Sequence, residues 1–322
     1  MELQTKVNIK PLEKKIGYQD KILLLGSCFA DNIGAKFAEY YFQTTLNPFG
    51  TLYNPASIAS ILNHTTPSST ILYHNGLWHS MMHHGCFSHP DKEELLRRCE
   101  QSRQQLQDAL NEATTIIVTF GTAWVYEMDG QVVANCHKIP ADRFLRRCLS
   151  VQEIVDMWLP IIQTMPDKHW IFTVSPIRHL KDGLHANQIS KAILLQAIDC
   201  LTSISTTLHN PTPSYTTLYH PIPSSTIHYF PSYEIMLDEL RDYRFYAEDM
   251  VHPSPLAVEY IWQRFVEAYM TAATRDEMHL LHQLWRDRHH RFLHPDSDEA
   301  KQFEQRTAEK MQQLQEQYPW LK

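Results

Sequence analysis

Residues 21–30 read Lys-Ile-Leu-Leu-Leu-Gly-Ser-Cys-Phe-Ala, and this stretch decides the fold. The apolar run of residues 21–25 ends at Gly26 and is typical of a buried parallel strand. Downstream, large apolar and aromatic residues recur at the three- and four-residue spacing of a helix: Phe29, Ile33, Phe37, Tyr40 and Tyr41. Ser27 is therefore predicted to lie in a strand-to-helix turn.

The same alternation of strand and helix continues along the chain. Short apolar runs predict further strands at residues 42–46, 115–120, 169–174 and 226–230. Apolar periodicity predicts helices at residues 29–41, 55–63, 91–112, 151–164, 187–208, 233–241 and 255–270. Asn75-Gly76 and Asp129-Gly130 predict the turns of two hairpins. We therefore predict an α/β fold, a three-layer doubly wound parallel sheet of the flavodoxin-like type with helices on both faces.

The last part of the chain has a different character. From about Arg275 the sequence is polar and helical, with an interruption at His294-Pro295-Asp296. This pattern predicts a C-terminal helical hairpin packed on the main domain. We accordingly divide the chain into a main domain, residues 1–272, and a helical extension, residues 273–322.

Composition limits the possible partners and location. The 322 residues carry a formal net charge of -7, which gives no electrostatic reason to bind nucleic acid or an anionic membrane. The N-terminus lacks the apolar core of a secretory signal, and no run reaches the roughly 18 apolar residues of a membrane span. We expect a cytoplasmic protein whose six cysteines are reduced thiols. The sequence leaves the oligomeric state open.

Polar residues and glycines follow the predicted strands, where a doubly wound sheet binds its ligands. Ser27 lies at the first turn of a helix, where the N–H groups of Ser27 and Cys28 and the positive helix end suit a developing oxyanion. The same position also suits a plain helix cap. Cys28 is a rival nucleophile, because thiol pKa values fall at helix N-termini.

A base and a carboxylate occur together near the end of the main domain. Asp249 and His252 lie three residues apart in a loop that is predicted to reach the same edge of the sheet. A serine nucleophile needs a base, and the base needs a carboxylate that fixes its tautomer. A second group, His79, His83, His84 and His89, is better explained by packing or substrate contact than by a metal site. The predicted chemistry needs neither a metal nor an organic cofactor.

The pentapeptide Gly26-Ser27-Cys28-Phe29-Ala30 resembles the signature of the GSCFA family, a branch of the SGNH/GDSL hydrolases. The resemblance covers about residues 15–270 and includes the blocks NPFGTLYNP, TFGTAWVYE, NCHKIP, SPIRHLKDGLHANQ and DMVHPS. It implies a Ser27 nucleophile with Asp249 and His252 completing a triad. It also implies that Gly50 supplies an N–H to the oxyanion hole.

The third block of the superfamily usually reads GxND, and here it reads Gly121-Thr122-Ala123-Trp124. Alanine stands where the asparagine donor is expected, and loss of one such donor typically costs about 100- to 1000-fold in rate. We predict an oxyanion hole formed by Ser27, Cys28, Gly50, Gly121 and Thr122. Thr122, Asn135 and His137 are candidates for the missing donor.

Further residues near the strand ends are predicted to contact substrate: Asn47, Trp124, Asn135, His137, Arg178 and His179. Aromatic residues such as Trp124 suit a sugar ring, and Arg178 suits an acidic group. Together with the resemblance, these residues predict an esterase that cleaves an O-acyl ester of a carbohydrate or small molecule. The alternatives are an O-acyltransferase with the same triad and a catalytically silent ligand-binding domain.

Overall fold

A five-stranded parallel sheet forms the centre of the molecule. The computed structural model describes residues 4–63, 71–206 and 226–321. Its strands are β1 (Lys21–Gly26), β2 (Gln43–Leu46), β3 (Ile71–His74), β4 (Leu77–Ser80), β5 (Thr115–Phe120), β6 (Trp124–Met128), β7 (Gln131–Val133), β8 (Leu145–Cys148), β9 (His169–Val174) and β10 (Ile227–Phe230). The central sheet has the order β10-β9-β5-β1-β2. The order reverses between β1 and β5, as in a flavodoxin-like sheet.

Helices cover both faces of this sheet. They are α1 (Cys28–Glu39), α2 (Pro55–Leu62), α3 (Lys92–Glu112), α4 (Val151–Thr164), α5 (Leu184–Thr206), α6 (Ser232–Glu234), α7 (Pro255–Tyr269), α8 (Ala272–Arg288) and α9 (Asp298–Gln317). Because strand side chains alternate, Leu23 and Leu25 pack with α2, α4 and α5, whereas Ile22 and Leu24 pack with α1 and α7. The predicted three-layer α/β fold is confirmed.

Most predicted elements are found within a few residues of their expected bounds. The strands of residues 115–120 and 169–174 and the helix of residues 151–164 have the predicted bounds. Helix α5 begins at Leu184 instead of residue 187, and residues 207–208 of that prediction lie outside the described residues. The helix predicted for 233–241 is the short α6 followed by a π-helical turn, Ile235–Leu240.

The insertions between the main strands form two small antiparallel sheets. Strands β3 and β4 form the predicted hairpin, whose turn residues Asn75 and Gly76 both have positive φ. Strands β6 and β7 form the second hairpin around Asp129-Gly130. Strand β8 was not predicted, and it pairs with the other edge of β6.

The two C-terminal helices pack into the core on one face of the sheet. Met278, Leu281 and Leu284 of α8 and Leu314 of α9 are buried in the cluster that also contains Phe37 of α1. Residues 289–297, including His294-Pro295-Asp296, connect the two helices. Among the described residues, no helix has the length and apolar character that crossing a membrane requires.

Candidate active site

Ser27 lies between β1 and α1, at the point where the strand order of the sheet reverses. Gly26 adopts φ +134, and a Cβ there would overlap the carbonyl oxygen of Thr119 on β5. Only glycine allows this close approach, which places the next residue at the carboxyl edge of the sheet. Ser27 is thus held at the position where doubly wound folds bind their ligands.

The Ser27 side chain also caps the helix that follows it. Its Oγ accepts a hydrogen bond from the Phe29 N–H over 3.4 Å, which is long for such a bond. Ser27 is only 1% exposed. The helix cap and the predicted nucleophile are therefore the same hydroxyl, and its weak capping bond leaves Oγ capable of other contacts.

Asn47 fastens the turn from β1 to α1. Its Oδ1 accepts from the Gly26 N–H at 2.8 Å, and its Nδ2 donates to Asp31 Oδ1 at 2.6 Å. Thr51 Oγ1 donates to the other carboxylate oxygen of Asp31 at 3.0 Å. Asn47, predicted to contact substrate, has both ends of its amide engaged in supporting the backbone before Ser27.

Asp249 and His252 form a hydrogen-bonded pair in the loop before α7. Asp249 Oδ1 accepts from the N–H groups of Val251 and His252 at 2.9 and 3.0 Å, and Oδ2 lies 2.6 Å from His252 Nδ1. These bonds, first those from His252, lower the pKa of Asp249 to about 2. An ionised carboxylate only accepts, so we assign the imidazole proton to Nδ1.

The Asp249–His252 loop is attached to the carboxyl edge that carries Ser27. The Arg178 N–H, just beyond β9, donates to the Val251 carbonyl at 3.2 Å. His179 lies close enough to His252 for the two rings to interact electrostatically, and it also contacts the Gly121 carbonyl. Gly121 in turn borders Ser27, because a Cβ on Gly121 would lie 3.3 Å from Ser27 Cβ.

The three predicted catalytic residues are not in a continuous hydrogen-bonded chain. Within the described ranges, no hydrogen bond joins Ser27 Oγ to His252, and none engages His252 Nε2. The His252 side chain is 43% exposed and that of Asp249 is 50% exposed. The dyad of Asp249 and His252 is formed, and its second nitrogen remains open.

Four of the five predicted oxyanion donors have their N–H groups engaged. The Ser27 N–H donates to Thr119 O at 3.2 Å, and the Gly50 N–H donates to Asn47 O at 2.7 Å. The N–H groups of Gly121 and Thr122 both donate to Tyr53 O, at 2.8 and 3.0 Å. In this conformation these amides do not offer a proton to a ligand.

Cys28 is the fifth predicted oxyanion donor. Its N–H is at the first position of α1 and has no hydrogen-bond partner among the residues that the structure describes. Its thiol lies 3.4 Å from the Tyr53 hydroxyl. Burial, with the Cys28 contact next, raises the pKa of Tyr53.

The third block, residues 121–124, is hydrogen-bonded to α5, and its Ala123 has no side-chain donor. Ala123 is fully buried, and its N–H donates to Ser190 Oγ at 2.8 Å. Thr122 Oγ1 lies 3.1 Å from the same hydroxyl and accepts from the Trp124 N–H at 3.1 Å. The indole of Trp124 is covered by the Arg146 guanidinium at 4.1 Å. Thr122 and Trp124 thus shape the wall of this loop.

Arg178 and His179 lie just after β9, at the carboxyl edge of the sheet. The guanidinium of Arg178 stacks on Tyr246 at 3.9 Å and reaches Tyr243 at 5.3 Å. Burial, followed by the charge of Lys191, lowers the pKa of His179 to about 4, so this imidazole is neutral near pH 7. Both residues are near the Asp249–His252 dyad.

Asn135 and His137 belong to a different neighbourhood. Asn135 Oδ1 accepts from the His137 N–H at 2.9 Å, and His137 Nε2 lies 2.7 Å from the Ser80 carbonyl. The His137 ring stacks near His79, with centroids 4.6 Å apart. These contacts tie β7 to the hairpin of β3 and β4, and none of them reaches Ser27. In the described part of the chain, no group of three or more His, Cys, Asp or Glu side chains has a metal-binding arrangement.

Two residues that support the site were not predicted from the sequence. Asp31 holds Asn47 and Thr51, and Lys191 of α5 donates to carbonyls beside Ser27. Lys191 could have been found as a charge in line with the buried stripe of Leu194, Ile198 and Leu201. The role of Asp31 depends on a contact with a distant loop, which periodicity does not reveal.

Comparison with known proteins identifies the family. A model described as the GSCFA family matches residues 21–265, and a model described as the GSCFA domain protein, C-terminal domain, matches residues 281–322. No curated protein and no solved structure matches the sequence. Because the first match covers most of the chain, the chain belongs to the GSCFA family.

Proposed function

We propose that this member of the GSCFA family is an SGNH-type serine esterase that hydrolyses O-acyl esters through an acyl-enzyme. Ser27 is the nucleophile, His252 the base and Asp249 the carboxylate that orients it. The observation that carries this proposal is the 2.6 Å contact between Asp249 Oδ2 and His252 Nδ1, which leaves Nε2 free to accept a proton. The expected substrate is an acylated carbohydrate or small molecule.

The first half of the reaction uses Ser27 at the end of β1. Ser27 Oγ attacks the ester carbonyl while His252 Nε2 accepts its proton, and the resulting imidazolium is stabilised by the ionised Asp249. His252 then donates that proton to the leaving alcohol. Catalytic hydrogen bonds often tighten only when substrate is bound, so the absence of a Ser27–His252 bond without substrate is compatible with this step.

The second half of the reaction releases the acyl group. Water attacks the Ser27 ester, His252 accepts a proton from that water, and the carboxylic acid leaves as Ser27 recovers its proton. The Cys28 N–H at the positive end of α1 has no partner among the described residues and is the best available oxyanion donor. The amides of Gly50 and Gly121 join it only if their present backbone bonds open.

The burial of Ser27 favours a bound alcohol over water as the acceptor of the acyl group. A nucleophile in a residue that is 1% exposed is shielded from bulk water, and this shielding favours transfer of the acyl group to a bound alcohol. The same triad would then make an O-acyltransferase. Free acid as the product supports the hydrolase, and a new ester of an added sugar supports the transferase.

The proposal is tested by labelling with a fluorophosphonate probe and by hydrolysis of short-chain p-nitrophenyl esters. The native protein should react in both assays, and Ser27→Ala should lose at least about 10⁴-fold of its activity. Ser297→Ala is the matched control, because Ser297 caps α9 through its Oγ as Ser27 caps α1. Labelling that persists in folded Ser27→Ala, or no labelling of native protein, would overturn the proposal.

A further inference from the structure

Lys191 is a buried lysine that the proposed mechanism does not use. It is 1% exposed, and among the described residues it forms no ion pair with a carboxylate. Its Nζ donates to Gly121 O at 2.6 Å and to Ser175 O at 2.7 Å, and lies 5.7 Å from the Tyr233 ring. Burying an ammonium without a counter-ion is costly, so its placement beside a candidate site is informative.

The two carbonyls to which Lys191 donates lie where β5 and β9 of the central sheet end. Gly121 and Ser175 are the first residues after β5 and β9, and the Ser175 N–H still donates to Phe120 O at 2.8 Å. After that bond, the segments that follow β5 and β9 are linked by Lys191 Nζ, which donates to a carbonyl of each. Gly121 borders Ser27, so Lys191 fixes one wall of the candidate site.

Neighbouring residues of α5 hold the same loops. Asn187 Oδ1 accepts from the His179 N–H at 3.0 Å, and Ser190 Oγ accepts from the Ala123 N–H at 2.8 Å. Asn187, Ser190 and Lys191 are spaced by three and four residues, so they share one helix face. This face holds the loops that follow β5 and β9.

Lys191 also acts on the imidazole of His179. Both groups lie at the Gly121 carbonyl, and the Lys191 charge, second to burial, lowers the pKa of His179. The other groups facing this pair are Tyr233 of α6 and His252 of the dyad. Burial lowers the pKa of Lys191 to about 7, so below that pH Lys191 is charged and its charge opposes protonation of His179.

We propose that Lys191 is a positioning residue whose Nζ holds the Gly121 and Ser175 carbonyls, and with them the wall of the site beside Ser27 and His179. This inference rests on the proposed esterase function for its kinetic effect. Its electrostatic effect on His179 is independent of catalysis. The two effects can therefore be measured separately.

The test compares Lys191→Met and Lys191→Gln with Lys168→Met. Lys168 is a matched control at the opposite edge of the sheet, where its Nζ also donates to two carbonyls, Asn111 O and Ala113 O. We expect Lys191→Met to lower kcat by about tenfold or more, with KM within about threefold. Displacement of the Gly121 turn should reduce stabilisation of the transition state more than it reduces binding of the substrate. Lys168→Met should match the native protein.

The second measurement follows the His179 titration by NMR. In Lys191→Met and Lys191→Gln the titration midpoint should move up toward that of an ordinary histidine, whereas Lys168→Met should leave it unchanged. A purely structural role would lower the melting temperature without this movement. Native kcat and a native His179 midpoint in folded Lys191→Met would overturn the inference.

Two further outcomes keep the inference testable. If Lys191→Met does not fold, Lys191→Gln decides, since its amide is uncharged and keeps hydrogen-bond donors on a side chain that is one atom shorter. A native His179 midpoint in that variant overturns the inference. If Ser27→Ala retains esterase activity, the proposed function fails, and the His179 midpoint still decides whether Lys191 acts on that ring.

Discussion

A cluster of histidines and the single residue His252 have opposite environments in this protein. The histidine cluster, His79, His83 and His137, is tied down by its neighbours: His83 Nδ1 and Nε2 lie 2.7 and 3.2 Å from the hydroxyls of Ser80 and Ser102. Burial lowers the pKa of His83 to about 3 and that of His137 to about 4. His83 and His137 therefore remain neutral near pH 7 and serve as packing groups.

His252 is the contrasting case. One nitrogen faces Asp249, the other has no partner among the described residues, and the side chain is 43% exposed. A histidine that can accept and release a proton needs this open nitrogen and a fixed tautomer. The difference shows that a free, oriented nitrogen, and not the local abundance of histidine, marks the candidate base.

The largest expected effects come from replacing His252 and His83, one at a time, by alanine. His252→Ala should lower esterase activity by about 10⁴-fold or more, because the proposed base is lost, and should change stability little, because the ring is exposed. His83→Ala should lower the unfolding free energy by about 2–4 kcal/mol, because a buried, hydrogen-bonded ring is removed. Ester turnover and thermal melts of both variants check this.

The comparison would fail if the two phenotypes were exchanged. A His252→Ala variant with native turnover would remove the dyad from the mechanism. A His83→Ala variant that is stable but inactive would instead place the histidine cluster in the chemistry.

A smaller loss of activity is expected from Asp249→Asn. An asparagine can still accept a hydrogen bond, but it neither holds the tautomer as firmly nor stabilises the imidazolium, so we expect about 10²- to 10⁴-fold lower kcat. Glu248→Gln removes the adjacent carboxylate and should have native kcat. Equal activity of Asp249→Asn and the native protein in steady-state assays would argue against an orienting role for Asp249.

The smallest expected effect is the pH dependence of stability. An unfolded histidine titrates near pH 6.5, whereas buried His83 binds a proton only near pH 3. Above about pH 6.5 both states are neutral at this position. Below it the unfolded chain alone binds the proton, so the unfolding free energy falls by up to about 1.4 kcal/mol per pH unit from His83. His137 and His179, whose pKa values are lowered by burial to about 4, add similar slopes between about pH 6.5 and pH 5.

Denaturant unfolding between pH 7 and pH 5 measures this slope. His83→Ala should reduce it by the His83 share, and the part contributed by His137 and His179 should remain. If His83→Ala keeps the native slope, the acid sensitivity arises elsewhere and His83 does not contribute to it.

The sequence predicted the elements whose residues are buried by simple periodicity. Strands β5 and β9 are continuous apolar runs, and α4 is preceded by Ser150, which forms a capping box with Glu153. It did not predict β8, which reads Leu-Arg-Arg-Cys and is stabilised by pairing with β6 and by the contact between Arg146 and Asp182. Such a strand depends on distant partners that local composition does not reveal.

The candidate site was predicted in part for the same reason. Ser27 and the Asp249–His252 pair could be found because each belongs to a short motif whose geometry is local. The availability of the Gly50 and Gly121 N–H groups could not be predicted, because their acceptors, Asn47 O and Tyr53 O, are fixed by how loops meet in three dimensions. The buried Lys191 likewise acquires its role only when β5 and β9 are adjacent.

The shared core of α1 and α8 has a consequence for how the chain can change. Phe37 is far from Leu281 and Leu284 in the sequence, yet the three side chains are buried together in one apolar cluster. A chain cut near residue 272 would leave an apolar face of α1 and α7 uncovered, and such faces promote aggregation. The last two helices therefore cover part of the core of the main domain, and the main domain depends on them to keep that face out of water.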